Sequence, residues 1–179
     1  TNLPADESNL ALRAATALQE AFQPERGVKI ILQKRIPLAA GLAGGSSNAA
    51  TVLTGLNRLW QLNLPVEQLD PVAAALGSDI NFFLRGGAAI CRGRGEIVEP
   101  IPAKLSATFL LINPGFGIPT PWAYAHWAEA AGRLTAQPPA ITLLSEALAA
   151  GDLAGVGRAM FNSLEAPVLR KFPVLVLLQ

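Results

Sequence analysis

A short stretch rich in glycine and serine separates an apolar segment from a long amphipathic pattern. Residues 28–36 are predicted to form a strand, which Pro37 ends. After Ser47, apolar residues recur with a 3.6-residue period, as in a helix that packs on one face. Small residues between a strand and a helix let the backbone approach a ligand closely, and glycine adopts positive φ easily. The pattern therefore favours a fold that combines strands and helices, with a turn able to bind a ligand. The alternative is a glycine-rich turn with a purely structural role.

The chemistry of this turn favours an anion. Free N–H groups at the start of the helix and the helix dipole both attract negative charge. Ser46 and Ser47 add hydroxyl groups, although an ordinary capping role for these serines remains an alternative. No lysine follows a glycine in the chain, so a Walker A loop is absent. The predicted phosphate-binding segment consists of Pro37, Leu38, Ala39, Ala40, Gly41, Leu42, Ala43, Gly44, Gly45, Ser46 and Ser47.

The rest of the chain alternates helical and strand patterns, which predicts an α+β fold. Ser8 and Asn9 are candidate caps for a helix that runs to about Phe22, and a further helix is expected between Pro65 and Gly77. Residues 80–84 form a short apolar segment. Strands are predicted at 88–91 and 96–100, paired across a turn at residues 93–95, and at 107–112, with a domain boundary near 100–104. Further helices are expected after Thr120 and from about residues 142 and 152.

Composition excludes several classes of protein. The chain has 179 residues, of which 51% are hydrophobic and 15% charged, with a net charge of +1. It can therefore build a core, and it is not a polybasic nucleic-acid or membrane-surface binder. Cys91 and His126 are the single cysteine and histidine, so an internal disulfide, a thiolate metal cluster and a His-rich metal site are excluded. This cysteine usage favours a reducing, cytosolic setting, and Cys91 is expected to be buried and inert.

Asp79 is the candidate general base. The other three aspartates stand at or just before predicted helix starts, where capping explains them. Asp79 has no predicted helix to cap and precedes Phe82 and Phe83, so its carboxylate would lie at the edge of an apolar wall. Such a group can accept a hydroxyl proton during phosphoryl transfer. The alternative is a turn aspartate that bonds its own backbone.

The string from Pro37 through GLAGGSSNAA resembles the ATP-binding motif of the GHMP kinases. Residues 76–87, 93–96, 113–121 and 161–165 are similar to further segments of that family. The resemblance implies a two-domain GHMP-kinase-like fold, truncated at both termini. Residues 1–103 would form the ATP-binding N-terminal domain, and residues 104–179 the C-terminal, substrate-side domain.

The same resemblance implies the chemistry. ATP and Mg²⁺ would be the cofactors, with Asp79 as the catalytic base and Ser47 as a ligand of Mg²⁺. Thr120, Pro121 and Tyr124 would contact a small-molecule substrate that carries a cytidine diphosphate group, although Tyr124 could equally be a core aromatic residue. Neither a nucleic-acid nor a membrane partner is expected.

Among the GHMP kinases, the string is most similar to that of a member that phosphorylates a 2-hydroxyl group in non-mevalonate isoprenoid synthesis. The location would then be the bacterial cytoplasm or the plastid stroma. The alternatives are another small-molecule GHMP kinase, of the homoserine or mevalonate type, and a nucleotide-binding fragment without catalytic activity.

Three further expectations concern departures from the family pattern. The chain begins at Thr1 and ends in an apolar segment, so it is expected to be an inactive middle portion of a longer kinase. Ala43 stands where many members have glycine, which a turn tolerates if φ is negative. Asn81 stands where proline is frequent, so the backbone after Asp79 is expected to be less restrained.

Overall fold

The computed structural model describes residues 4, 6–38, 40–130 and 140–178. The chain divides into two compact units, one of residues 1–37 and 42–101, the other of residues 38–41 and 102–179. The first unit contains α1 (Leu10–Phe22), α2 (Gly44–Leu59), α3 (Val66–Leu76), α4 (Ile80–Arg85), β1 (Ala88–Arg92) and β2 (Ile97–Ile101). The second contains α5 (Thr120–Ala130), α6 (Ile141–Ala150), α7 (Leu153–Ala159), α8 (Glu165–Lys171) and a 3₁₀ helix (Pro173–Leu178).

The core of the first unit lies among its four helices. Leu18 of α1, Leu53 of α2 and Ile80 of α4 are fully buried, and α3 contributes Leu69. The apolar stripes predicted for α1 and α2 face this core, with the exception of Leu59, which is 57% exposed. α2 and α4 contact each other through this core. The start of α2 and the start of α4 therefore belong to one packed framework.

Local capping chemistry sets the helix boundaries. The Asn9 side chain accepts a hydrogen bond from the N–H of Ala11 at 3.0 Å, as expected for the cap of α1. Pro65 precedes α3 and Gly77 follows it, so the predicted bounds of this helix are confirmed. Asp70 lies inside this helix, so the expectation that it caps a helix start was wrong. The start of α2 differs, because Gly44 to Ser47 belong to the helix and not to the preceding loop. Residues 80–84 were expected only as an apolar segment, and they are helical in α4.

Two predicted strands are wrong. In the described part of the chain, the only sheet is the antiparallel pair of β1 and β2, with Ala88 opposite Ile101 and Arg92 opposite Ile97. Residues 28–35 and 107–112 have no regular secondary structure there. Burial still alternates along residues 30–35, and Ile31 is 85% exposed. The side-chain pattern of a strand is thus present without the hydrogen-bonded neighbour that a strand needs.

The second unit is built from two helix pairs. α5 contacts α8, and α6 contacts α7. Asp152 caps α7 by accepting the N–H of Gly155 at 2.9 Å, so the predicted start of this helix is confirmed. Trp122 of α5 contacts Phe172, which follows α8, and the Lys171 ammonium lies 3.9 Å from the Trp122 ring centroid. Helices together with a small antiparallel sheet confirm the α+β class.

Candidate functional site

The N-terminus of α2 presents hydrogen-bond donors. The N-cap residue is Ala43, which has no side-chain acceptor, and the N–H of Ser47 is the first to bond within the helix, to the Ala43 carbonyl at 3.0 Å. The N–H groups of Gly44, Gly45 and Ser46 therefore precede the intrahelical hydrogen bonds. Together with the positive end of the helix dipole, these N–H groups suit an anion such as phosphate.

Lys34 adds a positive charge beside this helix start, which the sequence analysis missed. Its ammonium nitrogen is buried and has no hydrogen-bond partner among the described residues. A methyl group built on Gly44 would lie 2.8 Å from this nitrogen and 2.8 Å from Cγ2 of Ile36. A buried ammonium without a partner is costly unless an anion pairs with it. The signal in the sequence was a lysine three residues before Pro37, within the segment misread as a strand.

Ala43 departs from what the sequence led us to expect. It adopts φ of 46° and ψ of 27°, which is the left-handed conformation. In that region a Cβ atom crowds the backbone, at a cost of about 1 kcal/mol relative to glycine. The condition under which the turn tolerates alanine, a negative φ, is therefore not met, and the turn before α2 holds local strain.

The predicted phosphate-binding segment is divided between the units. Pro37 and Leu42 to Ser47 belong to the first unit, and within it Leu42 and Ala43 lead into α2. Leu38, Ala40 and Gly41 group with the second unit, where Gly41 has φ of 71°. Ala39 lies outside the described residues. The ligand-binding role of the whole segment remains a prediction.

Asp79 stands directly before α4. It occupies the N-cap position, but within the described residues its side chain forms no capping hydrogen bond. The statement that Asp79 has no helix to cap was therefore wrong, although its exposed carboxylate remains available to a ligand. Phe82 and Phe83 follow in α4 with their rings edge to face at 5.2 Å between centroids. The role of Asp79 as a general base remains a prediction.

The hairpin of β1 and β2 lies close to Asp79. Desolvation raises the pKa of the Cys91 thiol, and the negative charge of Asp79 raises that pKa further. Cys91 is exposed, so the expectation that it is buried was wrong. The hairpin turn also contacts Ser78, because a methyl group on Gly95 would lie 3.3 Å from the Ser78 carbonyl oxygen.

The predicted substrate-side residues lie on α5 in the second unit. Thr120 is the first residue of α5 and Pro121 the second, so the helix begins one residue earlier than expected. Tyr124 is 56% exposed, so it is not a core aromatic residue and its ring is free to stack on a ligand. Whether Thr120, Pro121 and Tyr124 bind substrate remains a prediction.

The described residues offer few protein ligands for a metal ion. They contain no group of three or more His, Cys, Asp or Glu side chains able to hold one. Ser47, the predicted ligand of Mg²⁺, is half-buried in the first turn of α2. In the same described residues, no helix is both long and apolar enough to cross a bilayer.

Residues 9–87 match the family model of the GHMP kinases N terminal domain. This match contains α1, α2, Asp79 and α4, which are the elements that build the candidate site. The resemblance to the GHMP kinases drawn from the motifs is therefore confirmed over these residues.

Two similar relatives share one name. The chain is 45% identical over 177 residues to the 4-diphosphocytidyl-2-C-methyl-D-erythritol kinase of Synechococcus sp. (strain JA-3-3Ab), covering 96% of this chain and 57% of that protein. It is 41% identical over 171 residues to the kinase of the same name from Geobacillus kaustophilus (strain HTA426), covering 96% of this chain and 58% of that protein.

A solved structure is also similar. The crystal structure of a 4-(cytidine 5'-diphospho)-2C-methyl-D-erythritol kinase matches with a TM-score of 0.76 and 36% identity, over 99% of this chain and 62% of that one. The α+β fold is therefore that of a known kinase structure. The chain spans 57% to 58% of the length of the two relatives named above.

Proposed function

We propose that the whole protein transfers the γ-phosphoryl group of ATP to the 2-hydroxyl of 4-diphosphocytidyl-2-C-methyl-D-erythritol, a step of non-mevalonate isoprenoid precursor synthesis. The observation that carries the proposal is the identity of 41% to 45% to kinases of that name, over 96% of this chain. The uncapped start of α2 and the buried Lys34 ammonium support it, because both fit the negative charge of a nucleotide's phosphates.

In this mechanism the start of α2 binds and orients phosphate. The N–H groups of Gly44, Gly45 and Ser46 donate hydrogen bonds to phosphate oxygens. The Lys34 ammonium neutralises part of the negative charge of the phosphate. Mg²⁺, held by phosphate oxygens with the Ser47 hydroxyl as a protein ligand, would neutralise developing negative charge. Phosphoryl transfer depends mainly on such positioning and charge stabilisation.

Asp79 is proposed to accept the proton of the substrate hydroxyl. As the bond from that oxygen to phosphorus forms and the bond to the leaving ADP oxygen breaks, the proton passes to the Asp79 carboxylate. The exposed position of Asp79 at the start of α4 supports this role, since it leaves the carboxylate open to a substrate.

The decisive experiment is Asp79→Asn in the whole protein. The amide is nearly isosteric but cannot accept the proton, so kcat should fall by about 10²–10⁴ while ATP binding is retained. Glu99→Gln is the matched control, because this exposed carboxylate pairs with exposed Arg92, and its loss should leave kcat unchanged. A fall in kcat of less than about tenfold in Asp79→Asn would show that Asp79 is not the proton acceptor.

The cytidine group is tested separately through Tyr124. Stacking of one base on an aromatic ring contributes about 1–3 kcal/mol. Tyr124→Ala should therefore raise KM for the cytidylyl substrate by about tenfold. Tyr124→Phe retains the ring and should leave this KM unchanged. Because Tyr124 is exposed, its truncation should not alter stability. CMP should compete with the substrate. Failure of CMP to compete would point to a GHMP kinase whose acceptor lacks cytidine.

A further inference from the structure

Asn81 is a buried polar residue two positions after Asp79. It lies in the first turn of α4 and is only 2% exposed. Its Nδ2 donates to the backbone carbonyl of Asp70 at 3.1 Å and to Oδ1 of Asp70 at 2.9 Å. The side chain therefore ties the first turn of α4 to α3 by two hydrogen bonds.

The same carboxylate holds the other end of α4. Arg85, the last residue of the helix, donates from Nη1 to Oδ1 of Asp70 at 2.7 Å and from Nη2 to Oδ2 at 2.5 Å. Ile80, between Asp79 and Asn81, is fully buried in the core. A six-residue helix fixed at both ends and by a core side chain cannot turn or slide without breaking these contacts.

Asn81 is a poor choice for stability alone. Its Oδ1 is buried and has no hydrogen-bond partner among the described residues. An unsatisfied buried acceptor destabilises the fold, whereas an apolar side chain at this position would have no such group. Asn81 therefore combines one unsatisfied acceptor with two directional hydrogen bonds, and these bonds link Asp70 to the turn that carries Asp79.

We propose that Asn81 is a positioning residue for Asp79. The sequence led us to expect a looser backbone here, where the family often has proline, but the Asn81 side chain supplies the restraint through Asp70. This proposal rests on the proposed role of Asp79 in proton transfer. A displacement of the Asp79 carboxylate by about 1 Å would lower the rate of phosphoryl transfer by up to about 10², because proton transfer to this carboxylate depends on alignment.

The test compares three variants of the whole protein. Asn81→Ala removes the link, and we expect kcat to fall at least about tenfold with KM for ATP within about twofold of wild type. Asn81→Pro restores restraint through a fixed φ, which the first turn of a helix tolerates, and should recover most of kcat. Asn57→Ala is the matched control, because Asn57 also makes two hydrogen bonds, with Leu64, but lies near the end of α2.

A kcat for folded Asn81→Ala within about twofold of wild type would overturn the proposal, as would an equal loss in Asn57→Ala. If Asn81→Ala does not fold, Asn81→Ser takes its place with the same expected loss, because its shorter side chain cannot reach both acceptors. Amide hydrogen exchange at residues 79–85 should quicken in Asn81→Ala and not in Asn81→Pro. This exchange needs no catalysis, so it still tests the restraint if wild type transfers no phosphoryl group and the proposed function fails.

Discussion

Gly95 in the hairpin turn packs against the backbone of Ser78, the residue before Asp79. A methyl group on Gly95 would lie 3.3 Å from the Ser78 carbonyl oxygen and 3.3 Å from its Cβ. Gly95 also has φ of 123°, which side chains rarely adopt. The hairpin turn and the start of α4 are therefore in contact because residue 95 has no side chain.

Gly95→Ala should destabilise the protein by about 1–3 kcal/mol, through close contact and backbone strain together. Urea denaturation measures the change. Gly55→Ala is the control, because Gly55 lies inside α2 with no atom within 4 Å of a built methyl group. It should stabilise the protein by about 0.5–1 kcal/mol. Equal effects at the two positions would show that the contact with Ser78 is unimportant.

Ala43→Gly should stabilise the protein by about 1 kcal/mol. Ala43 has φ of 46°, and glycine adopts this conformation without crowding of a Cβ atom. Ala17→Gly, in the interior of α1, should have the opposite sign and lose about 1 kcal/mol. Thermal denaturation of both variants distinguishes the two cases. A loss of stability in Ala43→Gly would mean that the turn before α2 is not strained.

Gly44→Ala should weaken ATP binding by about tenfold, because its methyl group would push the Lys34 ammonium and Ile36 away from the start of α2. Calorimetric titration of the whole protein with ATP gives the affinity. Gly45→Ala is the matched comparison, since its methyl group would meet only Leu10 at an ordinary 3.8 Å. The loss of ATP affinity in Gly45→Ala should be several-fold smaller than that in Gly44→Ala. Similar losses of ATP affinity in both variants would mean that the position of Lys34 does not affect nucleotide binding.

Periodic and capping signals predicted most of the helices, but not α4 or α8. The stripe of Ala14 and Leu18 and the cap at Asn9 are local properties, so one segment of sequence contains them. The hairpin of β1 and β2 was predicted for the same reason, because its two strands are joined by a short turn. The family resemblance was equally accessible, since its motifs are contiguous strings.

The errors involve interactions between distant residues. A strand requires a partner, and the apolar runs at 28–36 and 107–112 carry no information about one. Leu110 is 86% exposed, although its neighbours read as a buried strand. The buried ammonium of Lys34 and the link from Asn81 to Asp70 depend on how separate elements pack. Local sequence patterns do not specify such packing.

Asp70 also gives the stability a pH dependence. The hydrogen bond from Arg85 is the main cause that lowers the pKa of Asp70 below 3.8, and the hydrogen bond from Asn81 lowers it further, against an opposing effect of desolvation. In the unfolded chain these partners are absent. A carboxyl group whose pKa is lower in the folded state stabilises the fold above its unfolded pKa, and this contribution disappears as pH falls through the folded pKa.

Asp70→Asn should therefore lose about 1–3 kcal/mol near neutral pH, because it breaks a half-buried pair that Arg85 makes with both carboxylate oxygens. The difference from wild type should narrow as pH is lowered below 3.8, where the unfolded chain already binds the proton. Urea denaturation at several pH values measures it. Glu99→Gln removes an exposed pair with Arg92 and should change little at any pH, since such surface pairs are screened by water. A difference between wild type and Asp70→Asn that stays constant into acid would show that ionisation of Asp70 does not stabilise the fold.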